Sequence, residues 1–425
     1  MAVNRRDFLG SLPAAAALFA GGSILGADPE AKPAPRANRP PKRVAMINSI
    51  YRFRSHAYHL GRRILHGYDR EGFHHQPDLQ LVRMFNDQYP PDDMAREESR
   101  RYGYEVVETP AEALGPSGKL DVDAVLLVVE HGDYKTNEFD QVLYPRYELF
   151  QEIVKVFEAA GRSVPVFVDK HLSYDASKAH QMYDTARRMK FGLMAGSSLP
   201  VTWRRPELEP PLDLPLKEGL VTFGFDRGPA EIYFFHALES LQCMMERRRG
   251  GETGVRRVTG LTGPAVWKAG DEGLWSWELL EAALARNPSN NTGDVRENVR
   301  NPQALLIEYA DGTRGTAINL IEQVSEFSFA GRVDGRDQPL STHFVLPAPP
   351  GANFFDGLMW NIEKFIASGR SPYPVERTLL TSTMLDFGMR SIKRDSKPQE
   401  SDLLDVRYRA QADSGFSRGR MTRDG

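Results

Sequence analysis

Residues 164–200, VPVFVDKHLSYDASKAHQMYDTARRMKFGLMAGSSLP, constrain the fold more than any other stretch of the chain. Val164, Val166 and Val168 alternate with Pro165 and Phe167, an unbroken apolar run. Such a run predicts a strand buried on both faces, as in a parallel sheet. Asp169, Lys170 and His171 follow at its carboxyl end. Ser173 is placed to cap a helix over 174–190, and Ala176, Ala179, His180, Tyr183 and Ala186 form its inward stripe. Residues 191–195 read as a second buried strand, stopped by Gly196, Ser197, Ser198 and Pro200. Open parallel sheets bind ligands beyond the carboxyl ends of their strands, so the charged tripeptide stands where a site is expected.

The same alternation runs through the preceding residues. Strands are predicted at 43–47, 79–85, 104–108 and 122–129, with helices over 93–102 and 144–160. The strand at 122–129 carries the strongest pattern and ends in Glu130, His131, Gly132 and Asp133. The fold class that follows is α/β, a Rossmann-like doubly wound parallel sheet over 43–200. A proline-rich link over 203–215 leads to a second, α+β domain spanning 201–395. There, strands at 219–225 and 254–261 and two hairpins, 304–321 and 327–346, predict an open, mostly antiparallel sheet. Helices over 229–249, 274–285, 354–367 and up to 393 back it, and 396–425 read as a polar tail.

Charge and cysteine content narrow the partners. Lys and Arg number 54 against 57 Asp and Glu, a net charge of −3, which offers neither a nucleic-acid tail nor a membrane-surface patch. The single cysteine, Cys243, excludes an internal disulfide and a cysteine-based zinc site within one chain. No apolar run reaches the ~18 residues of a membrane span. At the start, Asn4, Arg5, Arg6, Asp7, Phe8 and Leu9 resemble the twin-arginine motif of the Tat pathway, and a mildly apolar stretch follows. The expectation is a Tat signal over 1–27, a proline-rich linker over 28–42, passage through the Tat translocon, and a periplasmic or extracellular mature protein.

Lys170 after the buried strand, and His236 with Glu239 three residues on, resemble the Gfo/Idh/MocA family of glucose–fructose oxidoreductase and inositol dehydrogenase relatives. In that family the strand ends in Glu-Lys-Pro and the helix carries Asp-x-Gly-x-His-x-x-Asp. The likeness runs over about 42–393. It implies an enzyme in which Lys170 and His236 polarise or deprotonate a hydroxyl of a sugar or cyclitol derivative. NAD(P) would accept the hydride and Asp87 would hold the adenosine ribose. Subunits would pair through the C-terminal sheet into a homo-oligomer.

The departures from the family pattern matter as much. His171 stands where the family has proline, and Ile232 where it has the first aspartate; Glu231 lies one residue earlier, about 100° around a helix. The dinucleotide fingerprint G-x-G-x-x-G is absent, because no glycine occurs between Arg43 and Gly61. Cofactor contacts would then fall to Asn48, Arg52, Arg54, Asp87 and Glu130, the two arginines binding phosphate directly.

Parallel topology sets Asn48 and His56, then Glu130, His131 and Asp133, then Asp169, Lys170 and His171 along one crevice. Histidines with carboxylates suit acid–base chemistry on a carbohydrate or a divalent metal. Three readings therefore stay open. One is the NAD(P)-dependent oxidoreductase. The second is a non-redox hydrolase, lyase or isomerase acting on a glycoside, metal-assisted through His56, His131, His171 and Asp133. The third is a non-catalytic carbohydrate-binding protein. Taken singly, Lys170 also reads as a solvated strand-end lysine and His236 as a satisfied core histidine.

Overall fold

Six of the apolar runs join into one parallel sheet. Its strands are β1 (Lys42–Asn48), β2 (Leu79–Asn86), β3 (Glu105–Val107), β4 (Ala124–Val128), β5 (Val166–Asp169) and β6 (Leu193–Gly196). The order is β3-β2-β1-β4-β5-β6, with every neighbour parallel. The computed structural model describes residues 40–225, 228–347 and 351–419. The twin-arginine segment and all but the end of the proline-rich linker lie outside them.

Side-chain alternation explains why the sheet is covered twice. Ala45 and Ile47 of β1, with Val125 and Leu127 of β4, face one core, and Val44, Met46, Ala124, Leu126 and Val128 face another. The helices are α1 (His56–His66), α2 (Ala95–Tyr102), α3 (Arg146–Ala160) and α4 (Ala176–Met189). α3 and α4 close the first core and α1 the second. A strand buried on both faces has no polar side, which is why β4 reads AVLLV without interruption.

The second sheet has seven strands: β7 (Arg204–Arg205), β8 (Leu216–Phe223), β9 (Val255–Thr262), β10 (Gln303–Tyr309), β11 (Arg314–Asn319), β12 (Phe327–Val333) and β13 (Leu340–Phe344). Their order is β9-β10-β11-β8-β12-β13-β7, antiparallel except for β8 beside β11. Helices α5 (Ala230–Met245), α6 (Trp277–Leu284), α7 (Phe354–Ser368) and α8 (Val375–Lys393) complete the chain. α8 packs against α5 and β9 and also against α4 and β6, and α7 fills the second core of the parallel sheet. The described residues from Pro41 onward form one compact unit.

Several expectations are corrected. α4 starts at Ala176 rather than at 174, because the Asp175 carboxylate accepts from Lys178 N at 3.0 Å and caps the helix, while Ser173 Oγ accepts from Asp175 N. Met182, not His180 or Tyr183, completes the buried stripe. The link over 203–215 contributes β7, in which Arg204 is fully buried and donates to Pro200 O and Leu208 O. The expected polar tail is packed through 419. Leu404, Val406 and Phe416 are buried, Arg407–Tyr408 pairs with Glu252–Thr253, and Arg247 donates to Gln411 O and Ala412 O. Three scattered apolar side chains leave no periodic pattern, so their burial against distant elements is invisible to a sequence window.

Candidate functional site

The strand order reverses between β1 and β4, and open α/β sheets place ligands at such a switch point. Ser49 ties the two strand ends together, its Oγ donating to Glu130 O at 2.7 Å. Beyond β4 and β5 the chain turns sharply. His131 has φ 66° and Lys170 has φ 61°, left-handed values that cost a residue with a β-carbon about 1–2 kcal/mol. Such strain persists where surrounding contacts fix it, and it clusters at functional sites.

Those turns deliver a buried charge network. Glu130 accepts from Lys170 Nζ at 2.8 Å through one oxygen and from Arg146 Nη2 at 2.6 Å through the other. Arg146 also donates to His171 Nε2 at 3.1 Å, and Glu231 lies 3.9 Å from that nitrogen. All five side chains are at most 4% exposed. Burial alone would raise the Glu130 pKa, but Lys170 and Arg146 hold its carboxyl well below the usual range. Burial, helped by Arg146, keeps the His171 imidazole neutral. Glu231 is the opposite case: burial lifts its pKa to about 8, with Arg146 opposing, so it carries its proton at neutral pH.

A second group opens toward solvent. His56, first residue of α1, meets Asp169 with Nδ1 at 2.7 Å from Oδ2. Asp169 is fully buried, whereas the His56 side chain is 16% exposed. A carboxylate that accepts the Nδ1 proton leaves Nε2 as the basic nitrogen. His131 packs against His56 at a ring separation of 5.4 Å, and Phe355 does so at 5.0 Å. Burial, then the neighbouring His56, lowers the His131 pKa to about 4.

On α5, His236 Nδ1 lies 3.0 Å from Ser197 Oγ, which donates to Glu239 Oε2 at 2.5 Å. With Glu239 ionised, that chain makes His236 Nδ1 the donor to Ser197. Burial raises the Glu239 pKa to about 7 against its bonds from Ser197. Burial, then Lys170 and His56, push the His236 pKa down, so its ring is neutral.

The predicted residues therefore divide. Lys170, His171, Glu130, Glu231, His56, His131 and His236 come together, with Asp169 between them. The proposed metal set does not converge: His171 turns to Arg146, and Asp133 is exposed with its backbone tied to Gln88. Among the described residues no group of three or more His, Cys, Asp or Glu side chains is arranged to hold a metal ion.

The cofactor set is also redistributed. Glu130 is consumed by its ion pairs, and Asn48 is fully buried and donates to Asn86. Arg52 pairs with Asp92, and Arg54 lies over the Phe53 ring. Asp87 is exposed beyond β2 and accepts from Tyr134 OH at 2.7 Å, which suits a ribose-binding acid. The β1–α1 turn does not suit a pyrophosphate in the glycine-cradled pose. Ile50 and Tyr51 fill it, Ser55 Oγ already accepts from Tyr58 N and Arg52 N, and a β-carbon at Gly61 would stand 2.9 Å from the Tyr51 ring. The glycine near this turn thus accommodates an internal aromatic ring.

Sequence reasoning missed Arg146, Ser197 and Phe355. Arg146 left one signal: a cation in the first turn of a helix opposes the helix dipole, so a buried carboxylate partner was implied. Ser197 and Phe355 left none.

No family model and no curated protein matches the sequence. Solved structures do match in fold. GenD2 from gentamicin A biosynthesis, in complex with NAD, superposes with TM-score 0.53 at 14% identity over 87% of this chain and 100% of its own. A probable dehydrogenase from Thermotoga maritima gives 0.52 at 14% over 86% and 99%, and myo-inositol 2-dehydrogenase from Lactobacillus plantarum gives 0.51 at 10% over 85% and 99%. The chain thus shares its fold with these dehydrogenases, the fold that the resemblance to the Gfo/Idh/MocA family implied, and at 10–14% identity the likeness is one of fold.

Proposed function

We propose that this protein is an oxidoreductase-like enzyme that acts on a hydroxyl group of a sugar or cyclitol derivative, with His56 as its base. The observation that carries the reading is the contact between His56 and the buried Asp169 at 2.7 Å, beside His131 and Lys170 at the switch point of the sheet. His56 Nε2 takes the hydroxyl proton, and Asp169 holds the ring in the required tautomer and stabilises the imidazolium that forms. Lys170, held by Glu130, and the neutral His236 offer polar hydrogen-bonding groups that orient the substrate oxygens. The dehydrogenase neighbours favour NAD(P) as hydride acceptor, yet the filled β1–α1 turn does not fit its usual pose. No hydride step is therefore assigned.

That same filled turn favours a second reading, in which the base serves an elimination or isomerisation without redox change. One experiment separates the two. The exported form is titrated with NAD(H) and NADP(H) by calorimetry, then screened against sugars, cyclitols and glycosides beside His56→Gln. Saturable dinucleotide binding with oxidised product supports the redox reading. Turnover without bound dinucleotide supports the second. Unchanged turnover by His56→Gln removes the base assignment from both. Export through the Tat pathway is part of the proposal; replacing Arg5 and Arg6 by lysine should retain the protein in the cytoplasm. So is self-association through the second sheet, which sedimentation of the purified protein tests.

A further inference from the structure

Asp169 presents one oxygen to His56, and its other oxygen, Oδ1, is buried with no hydrogen-bond partner among the described residues. A buried carboxylate oxygen left unmet is costly, so a donor is expected close by. The strand register shows where. Asp169 is the cross-strand partner of Gly196, and neighbouring strands lie about 4.8 Å apart. Phe167 and Met194, two residues earlier on β5 and β6, face the second core of the sheet. Side chains alternate along a strand, so positions 169 and 196 face that core as well.

What meets the strands there is polar. A β-carbon on Gly196 would stand 2.8 Å from Glu239 Oε1, 3.1 Å from Thr378 Oγ1 and 3.6 Å from Tyr373 OH. Two of these oxygens are engaged: Glu239 accepts from Ser197 N at 3.1 Å, and Thr378 donates to Ala195 O at 2.8 Å. Tyr373 is different. It belongs to the second core, stands two residues before α8 and is 3% exposed. Its hydroxyl is buried without a hydrogen-bond partner among the described residues. A buried tyrosine hydroxyl usually has one. An unmet donor and an unmet acceptor thus meet in one region behind His56, out of direct reach of each other. A single water is the usual bridge across such a span.

We infer that Tyr373 is a positioning residue for the base: through one buried water its hydroxyl serves Asp169 Oδ1 and holds the carboxylate turned toward His56. The inference rests on the assignment of His56 as the base. With Oδ1 satisfied, Oδ2 is left to the His56 Nδ1 proton. A hydrogen bond at Oδ1 also draws charge from the carboxylate, so the imidazolium is held less tightly and His56 gives up its proton more readily. The other titratable groups around the pair are His59 on α1, Glu130 and His131 beyond β4, Lys170 beyond β5, and His236 and Glu239 on α5. None of them donates to Oδ1. Arg377 of α8, which faces Tyr373, is paired with Glu246.

The test follows the His56 imidazole through a pH titration by NMR, on the full mature protein with isotope-labelled histidine, His56→Gln giving the assignment. Tyr373→Phe keeps the ring and removes the donor. The pair should then hold its proton more tightly, and the His56 titration should move up by about half a pH unit or more. The acid limb of kcat/KM, on a substrate from the screen, should move with it, about a threefold loss there, while KM changes less than about twofold. Thr378→Val disturbs the same packing without touching the bridge and should leave the His56 titration in place. A crystal structure of the parent should show one water within hydrogen-bond distance of both Tyr373 OH and Asp169 Oδ1. The inference is overturned if Tyr373→Phe titrates as the parent does, if Thr378→Val shifts His56 as far, or if no water joins the two atoms. Unchanged turnover by His56→Gln would instead remove the base assignment, and the titration, which needs no turnover, would still decide the bridge.

Discussion

Glu130→Gln is the substitution that tests the buried network most directly. Glu130 is 3% exposed and lies between Lys170 and Arg146, at 2.8 and 2.6 Å. The amide keeps the shape but removes the negative charge, leaving two buried cations without their shared anion. Breaking a buried pair from one side costs about 3–5 kcal/mol, because the remaining charge stays desolvated. Lys170→Met is the informative comparison. It leaves the contact between Glu130 and Arg146 intact and fills the volume with an apolar stem, so its cost should be about 1 kcal/mol. The assay is urea unfolding at pH 7, reading the shift in midpoint at constant slope for each variant and for the double variant. The predicted order is Glu130→Gln far below Lys170→Met. A Glu130→Gln loss under about 1 kcal/mol, or equal losses in the two variants, would refute the shared-anion argument.

Glu231 gives a pH signature. Its folded pKa of about 8 lies above its ordinary 4.5. The folded state holds a proton that the unfolded chain releases, so its contribution to stability is full below pH 4.5 and is lost as pH rises to about 8. The slope is at most about 1.4 kcal/mol per pH unit. Glu231→Gln should flatten the urea midpoint between pH 5 and 8, with a residual slope from Glu239, whose pKa is about 7; parallel profiles would show that Glu231 is not held protonated. Asp169→Asn should lower turnover about 100-fold or more with little change in KM, since it removes the group that orients His56; steady-state kinetics on a substrate from the screen decides it. A chain ended after Lys397 exposes the surfaces that Leu404, Val406 and Phe416 cover, and should lose about 4.5 kcal/mol or more at a coefficient of about 1.5–3 kcal/mol for each of these three apolar side chains; an unchanged melting curve would mean that the strap adds nothing.

Much of this molecule was legible in its sequence, for a physical reason. A strand buried on both faces must be apolar throughout, so 122–129 and 164–168 announced a parallel sheet before any contact was known. Parallel strands place all their carboxyl ends on one edge, so His56, Glu130, His131, Asp169 and Lys170 could be assigned to one crevice from topology alone. The missing glycines were equally plain, and the structure shows what replaced them, a turn packed with Ile50 and Tyr51.

Pairing was not legible. Lys170 read as an open catalytic lysine, yet it is clasped by Glu130, 40 positions away. His171 and Asp133 read as metal ligands with His56 and His131, but Arg146 draws one inward and the other stays in solvent. The C-terminal residues read as a tail because packing against β7, α5 and α7 leaves no local period. The sequence by itself determined the strands, their burial and the edge at which the chemistry gathers, because periodicity and apolarity are local properties. Only the tertiary structure decided which charges neutralise one another and which stay available. Those choices depend on distances of 2.6–2.8 Å between groups that the chain brings together from far apart.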